Sequence, residues 1–180
     1  MYEKIDVELT GTSPLLMNRL SLESLQKKSR KVMKNYDVEE DARDSAYMTE
    51  NEELYVPMEA VFSMMIYAAG AHKIGRRSMK SYLAGGIKIE PEKILLTPNE
   101  YEVDLRAVVI QRARVIRSRA KVKDWKIAFT LIYDDEILTP EPLRSILEDG
   151  GKRVGLLDFR PQRSGWFGTF TVTKFEELMS

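Results

Sequence analysis

Between Lys4 and Thr10 apolar and polar residues alternate, with Ile5, Val7 and Leu9 on one side. A period of two predicts a strand with one buried face; Gly11 to Pro14 ends it. Over 57–69 the period lengthens. Met58, Val61, Phe62, Met65, Ile66 and Ala69 recur at helical spacing behind Pro57, a residue suited to a first turn. No charge falls between Ala60 and Ala71, so this helix is expected to be buried almost all round. A shorter helix is expected over 22–35, with Ser21 as N-cap and Leu22, Leu25, Val32 and Met33 as its apolar positions.

Other segments carry weaker patterns. The acidic stretch 37–53 lacks periodicity and reads as a mobile loop. Leu54–Val56 is a strand fragment, and 75–84 reads as a short, basic surface helix closed by Gly85-Gly86. Short strands are expected at 87–90 and 93–96. Residues 107–122, rich in β-branched residues and arginine, are expected to pair with 125–133 across Lys123-Asp124. Thr139-Pro140 opens a helix with Leu143, Ile146 and Leu147 as its buried stripe, and Gly150-Gly151 ends it. A last strand is expected at 168–175. The order is an α+β, ferredoxin-like βαββαβ core, the fold also used by RNA-recognition motifs. The insertions lie after strand one, at about 12–53, and after helix one, at about 71–106. The 180 residues suit a single domain.

Composition narrows the chemistry. No cysteine is present, which excludes thiol catalysis and cysteine zinc sites, and a single histidine, His72, excludes a multi-histidine cage. The N-terminal MYEKIDVELTG is charged, with no apolar signal region, and the longest uncharged run has 12 residues, too few to span a bilayer. A cytoplasmic, non-membrane protein without cofactor or metal is expected. Net charge is zero, but the charges are segregated. Between Asp37 and Glu53 there are eight acids and one base, Arg43. Between Leu105 and Lys126 there are eight bases (Arg106, Arg112, Arg114, Arg117, Arg119, Lys121, Lys123 and Lys126) and one acid, Asp124. A neutral total can therefore hide a positive face.

That basic segment is the first candidate site. Arginine offers bidentate donors to phosphate and a flat guanidinium that stacks on bases. Alternation puts Arg112 and Arg114 on one face of their strand and Arg117 and Arg119 on the other. The bland alternative is a surface hairpin whose arginines pair with carboxylates. The second candidate is VGLLDFRPQRSGWFGTF, 154–170, where Arg160 and Arg163 supply charge and Phe159, Trp166 and Phe167 supply flat surfaces. At Gly165 the backbone could approach a phosphate. The bland alternative is a glycine turn with at least one of Trp166 and Phe167 in the core. Arg76 and Arg77 add a smaller basic pair. No phosphate-loop or dinucleotide fingerprint is present. Asp37, Asp41 and Asp44 are the only acidic cluster worth considering for a divalent ion, and a solvated acidic loop is the simpler reading.

Three segments in this order resemble the RAMP superfamily, the RNA-binding backbone and processing subunits of CRISPR effector complexes. They are the turn LTGTSPLL (9–16), the helix-launching LYVPMEAVFSMMIYAAG (54–70) and the glycine- and arginine-rich GLLDFRPQRSGWFGTFTV (155–172). Met58 and Glu59 stand where the family carries Gly-Ser. The resemblance implies a divergent or minimal member, of a kind a phage could carry, with a ferredoxin-like fold and a role in antiviral defence. Its partners would be single-stranded RNA, with single-stranded DNA the alternative ligand, and either further copies of itself or other effector subunits. The expected function is binding through the phosphate backbone without catalysis, by Arg76, Arg77, Arg106, Arg112, Arg114, Arg117, Arg119, Arg160, Arg163, Gly165 and Trp166. Two alternatives stay open: a metal-dependent endoribonuclease using 37–44, and a self-assembling structural protein whose basic hairpin docks on the acidic loop of a neighbour.

Overall fold

A computed structural model describes residues 1–20 and 37–179; the expected helix at 22–35 lies outside them. Strand β1 (Tyr2–Gly11) buries Ile5, Val7 and Leu9, as its alternation requires. Gly11 then lies so close to the Trp125 ring that a β-carbon there would run into it, which is why the strand ends on glycine. Trp125 is fully buried and donates its Nε1–H to the Ser13 carbonyl at 2.8 Å. The two-residue β2 (Leu15–Leu16) follows.

Helix α1 (Val38–Ser45) replaces the loop expected at 37–53. Asp37 caps it, Oδ1 accepting from the amides of Glu39 at 2.9 Å and Glu40 at 3.2 Å. Its buried residues, Ala42 and Ser45, are small and leave no apolar stripe to read. Arg43 reaches Glu52 at 2.7 Å across the following turn. Strand β3 (Tyr55–Pro57) leads into α2 (Met58–Ala68), which buries Val61, Met64, Met65 and Ala68. It is not covered all round. Glu59, Ser63 and Tyr67, four residues apart, form an exposed row.

A 3₁₀ turn (Ala69–Ala71) extends α2 before a tight hairpin of β4 (Lys73–Ile74) and β5 (Arg77–Ser78). The helix expected at 75–84 is thus shifted, to α3 (Lys80–Gly86). Gly75, at φ +60°, turns the chain first. The remaining elements are β6 (Ile87–Glu90), β7 (Lys93–Thr97), β8 (Glu102–Ile110), β9 (Ala113–Val122), β10 (Lys126–Asp134), α4 (Pro140–Asp149) and β11 (Phe170–Leu178). Helix α4 buries Leu143, Ile146 and Leu147, the stripe expected of it, and runs on through one π turn, Gly150–Val154.

The sheet order β11-β1-β10-β6 is the ferredoxin-like arrangement, all pairs antiparallel. Strands β6 and β7 share the edge of β10: β6 meets Thr130–Tyr133, and β7 meets Lys126 and Ile127 and continues to β3. The pairing expected between 107–122 and 125–133 does not form. Strand β9 instead folds back on β8 through Gln111 and Arg112, both in the left-handed region at φ 48° and 68°. The outer edge of β9 takes β2, and α1 packs beside it, Ser45 Oγ accepting from the Ala120 amide at 2.9 Å. The core's second strand is therefore β6–β7, within the segment expected to be an insertion, and the basic hairpin is an excursion between the second and third strands of the core.

Candidate nucleic-acid interface

Register decides what the β8–β9 hairpin offers. Asp104 faces Arg119, Arg106 faces Arg117, and Glu102 faces Lys121. Opposed side chains lie about 5 Å apart, near enough to pair. Arg106 meets Asp104 through Nε at 2.5 Å and Nη2 at 3.3 Å, with Phe167 4.6 Å from its guanidinium. Lys121 reaches Asp104 at 3.3 Å, and Lys123 reaches Glu102 at 3.0 Å. Arg119, its side chain 12% exposed, meets Asp158 at 3.1 Å and lies over the Phe159 ring at 5.2 Å. Arg117 faces Asp41 of α1 at 3.9 Å. Arg106 and Arg119 are thus latches that dock the hairpin on 155–168, not free phosphate ligands.

Arg117 and Arg119 share a face, as expected, but Arg112 leaves the strand for the turn. The exposed arginines of the hairpin are at the tip, Arg112 and Arg114. Arg114 lies opposite Val109, on the face where Leu105, Val109 and Ile116 are exposed; Val109 is 70% exposed.

The loop 155–168 is a self-bonded turn. Amides of Arg163 and Gly165 donate to the Arg160 carbonyl at 2.8 and 3.0 Å, Ser164 to Pro161 at 3.0 Å, Phe167 to Phe159 at 3.0 Å and Gly168 to Pro14 at 2.9 Å. Those amides are spent, so the phosphate cradle expected at Gly165 does not exist. Gly165 is required for another reason: a β-carbon would strike the Phe159 carbonyl oxygen, and its φ is not positive. The aromatic pair divides. Phe167 is core at 2% exposure, whereas Trp166 is 66% exposed, its ring 4.6 Å from that of Phe167. Arg163 is exposed. Arg160 is held by the Leu157 carbonyl at 2.6 Å and by Gln162 at 2.9 Å, and burial, with Arg163 nearby, lowers its pKa from the ordinary arginine value.

Beside the loop runs a groove of about 450 Å³ that the sequence reading missed. One wall is the exposed row of α2, Glu59, Ser63 and Tyr67; the other is Leu157, Asp158, Arg160 and Gln162, with Asn18 and Tyr47 also lining it. Burial raises the pKa of the Tyr47 phenol, which stays a neutral hydroxyl. The groove offers hydroxyl, amide and guanidinium groups beside aromatic surface, together with the carboxylates of Glu59 and Asp158, a set suited to sugar hydroxyls and base edges with one cation, Arg160, for a phosphate. Its sequence signal was the i, i+4 row of α2.

Arg76 and Arg77 sit on the β4–β5 turn, both exposed. The acidic segment is less available than its composition suggested. Asp37 is an N-cap, and Asp41 accepts from the Ser118 amide at 3.2 Å. Among the described residues no group of three or more His, Asp or Glu side chains is placed to hold a metal ion, and no helix is long and apolar enough to cross a membrane. The outer face of the core sheet carries Lys4, Asp6, Glu8 and Thr10 on β1 in place of base-stacking aromatics, unlike an RNA-recognition motif.

No family model and no curated protein matches this chain. Among solved structures it resembles a chain of a cryo-EM structure of the Type III-B Cmr-beta bound to cognate target RNA. The TM-score is 0.63 at 13% identity, over 98% of this chain and 61% of that one. The likeness is one of fold, and this chain spans about three fifths of the length of the chain it resembles.

Proposed function

We propose that this chain binds single-stranded RNA without cutting it, as a subunit of a ribonucleoprotein assembly of the CRISPR effector type. The strand lies in the groove between α2 and the 155–168 loop, with Arg160 and Arg163 on its phosphates and Trp166 under a base. The observation that carries this reading is the exposure of Trp166 at 66% on the same loop that supplies Arg160 and Arg163. A tryptophan two-thirds in water forfeits much of its burial free energy, and stacking on a base recovers it whatever the sequence. The fold supports the reading, since the matched chain belongs to a complex bound to target RNA. The RAMP-like segments 9–16, 54–70 and 155–172 also meet in space: the Gly168 amide donates to the Pro14 carbonyl, and Gly155, Leu157 and Arg160 face α2 across the groove.

Titrating a labelled single strand and a duplex of the same length, at one fixed salt concentration, tests the proposal. Preferential binding of the single strand, with quenching of Trp166 fluorescence, is expected. Equal affinity for both, without quenching, would remove the groove from the reading. Single-stranded DNA serves as the second ligand, and a higher affinity for it would change the substrate class. The self-assembly alternative loses support, because the hairpin's Arg117 already faces Asp41 of its own chain.

A further inference from the structure

A second cationic surface follows α2 along the chain, past the groove residue Tyr67. Its core is the β4–β5 turn, where Lys73, Arg76 and Arg77 are exposed, with Lys80 on the first turn of α3. From His72 to Ile89 the chain contains no acidic residue. His72 anchors the segment, its Nε2 meeting Asp149 Oδ2 at 2.8 Å at the end of α4. Asp149 also pairs with Arg153, which brings the exposed Lys152 and Arg153 of the π turn toward the same corner. Among the described residues no carboxylate pairs with the side chains of Lys73, Arg76, Arg77, Lys80 or Lys152. Exposed charges are screened by water and salt, and cations with no counter-charge among the described residues stay available to an anionic ligand.

We propose that this corner is a phosphate-binding site for the same RNA strand, continuing its path past the C-terminal end of α2. The inference rests on the groove reading. Tyr67 lines the groove and the 3₁₀ turn Ala69–Ala71 follows it directly, so a strand leaving the groove along the exposed row of α2 arrives at Lys73. The chemistry favours a polyanion over a protein. Interface cores are depleted of charge and enriched in apolar area, and here the only exposed large apolar side chain among these residues is Ile74. Cations without apolar company suit a phosphodiester backbone, where binding follows counterion release. Arginine at two adjacent positions, Arg76 in the turn and Arg77 opening β5, adds forked donors that match phosphate oxygens.

The test combines Arg76→Ala with Arg77→Ala in the full chain and follows binding of a labelled single-stranded RNA at several salt concentrations. Wild type and variant should melt together, because both side chains are solvated and unpaired. The variant's log–log salt slope should be shallower by about 1.4, two phosphate contacts on a single strand. Trp166 quenching at saturation should be unchanged, since the strand still stacks on the 155–168 loop; the other tryptophan, Trp125, is buried and adds a constant background. An unchanged slope with normal quenching overturns the corner and leaves the groove standing. If the wild type shows neither binding nor quenching, groove and corner fall together. A parallel titration with poly-glutamate covers the remaining partner. If the double substitution weakens that binding while the RNA slope stays put, the corner serves an acidic protein and the proposal is overturned.

Discussion

The chain has two basic hairpins, and they treat their cations in opposite ways. In β8–β9, Arg106, Arg117, Arg119, Lys121 and Lys123 each face a carboxylate of the same molecule. In β4–β5, Lys73, Arg76 and Arg77 face none among the described residues. The longer hairpin looks far more positive in the sequence, yet much of that charge is neutralised within the fold. The acids responsible lie outside its arginine run, at Glu102 and Asp104 across the register, Asp158 in the C-terminal loop and Asp41 on α1. Local charge density therefore measures field only when neighbouring elements supply no counter-charge. A short turn whose cations pair with no carboxylate among the described residues can outweigh a long strand rich in arginine.

The largest effect that could break this comparison is on stability. Arg119→Ala removes an ion pair and a cation–ring contact and leaves Asp158, 29% exposed, without its partner. Stranding a largely buried polar group costs about 2 kcal/mol, which lowers Tm by roughly 4–8 °C for a chain of this size. Arg119→Lys should recover part of the loss by restoring charge without the flat guanidinium. A melting curve identical to wild type would mean that Arg119 is as free as the arginines of the small hairpin, and the contrast would collapse.

That latch also marks where sequence reading stops. The elements with strong periodicity were legible: Ile5, Val7 and Leu9 for β1, and Leu143, Ile146 and Leu147 for α4. Their spacing alone reports which face is buried. The partner of β9 was not legible, because a strand rich in β-branched residues suits either flank. The choice was made by Gln111 and Arg112 adopting positive φ, with no Asn-Gly or Asp-Gly to announce it. Helix α1 escaped notice because its buried face is only Ala42 and Ser45. In the site, Arg160, Arg163 and Trp166 could be found as one local cluster. The structural duty of Arg106 and Arg119 could not, since Asp158, Phe159 and Phe167 reach them only through the fold.

Next in size is Trp166→Ala. Loss of one stacked base should weaken RNA binding by about 1–3 kcal/mol, while Tm moves little because the ring is mostly in solvent. Binding equal to wild type would assign all recognition to cations and sharpen the comparison into a purely electrostatic one. Smaller still is Asp37→Ala. Loss of the α1 cap should cost about 1 kcal/mol of stability and leave RNA affinity untouched. Wild type incubated with RNA and magnesium should produce no fragments. Cleavage that disappears in Asp37→Ala or Asp41→Ala would establish the nuclease alternative instead.

The smallest expected effect separates the tip of the long hairpin from its base. Arg112 and Arg114 are exposed, and no ion pair holds either of them among the described residues. They are the part of β8–β9 that behaves like β4–β5. Arg114→Ala should leave Tm unchanged and reduce the salt slope by about 0.7, the share of a single phosphate contact. Arg112 sits at φ 68°, so alanine there keeps whatever backbone strain exists, and Arg112→Gly, which relieves it, is the better-matched control. Both Arg112 variants should show the same lowered slope, because the lost contact is the guanidinium and not the turn. If only Arg112→Ala weakens binding, the cause is the turn geometry, and the tip contributes no charge to the ligand. If the tip variants change the slope while Arg76→Ala with Arg77→Ala does not, the ranking of the two hairpins reverses. The RNA would then run from the groove toward β8–β9, and the β4–β5 corner would lie off its path.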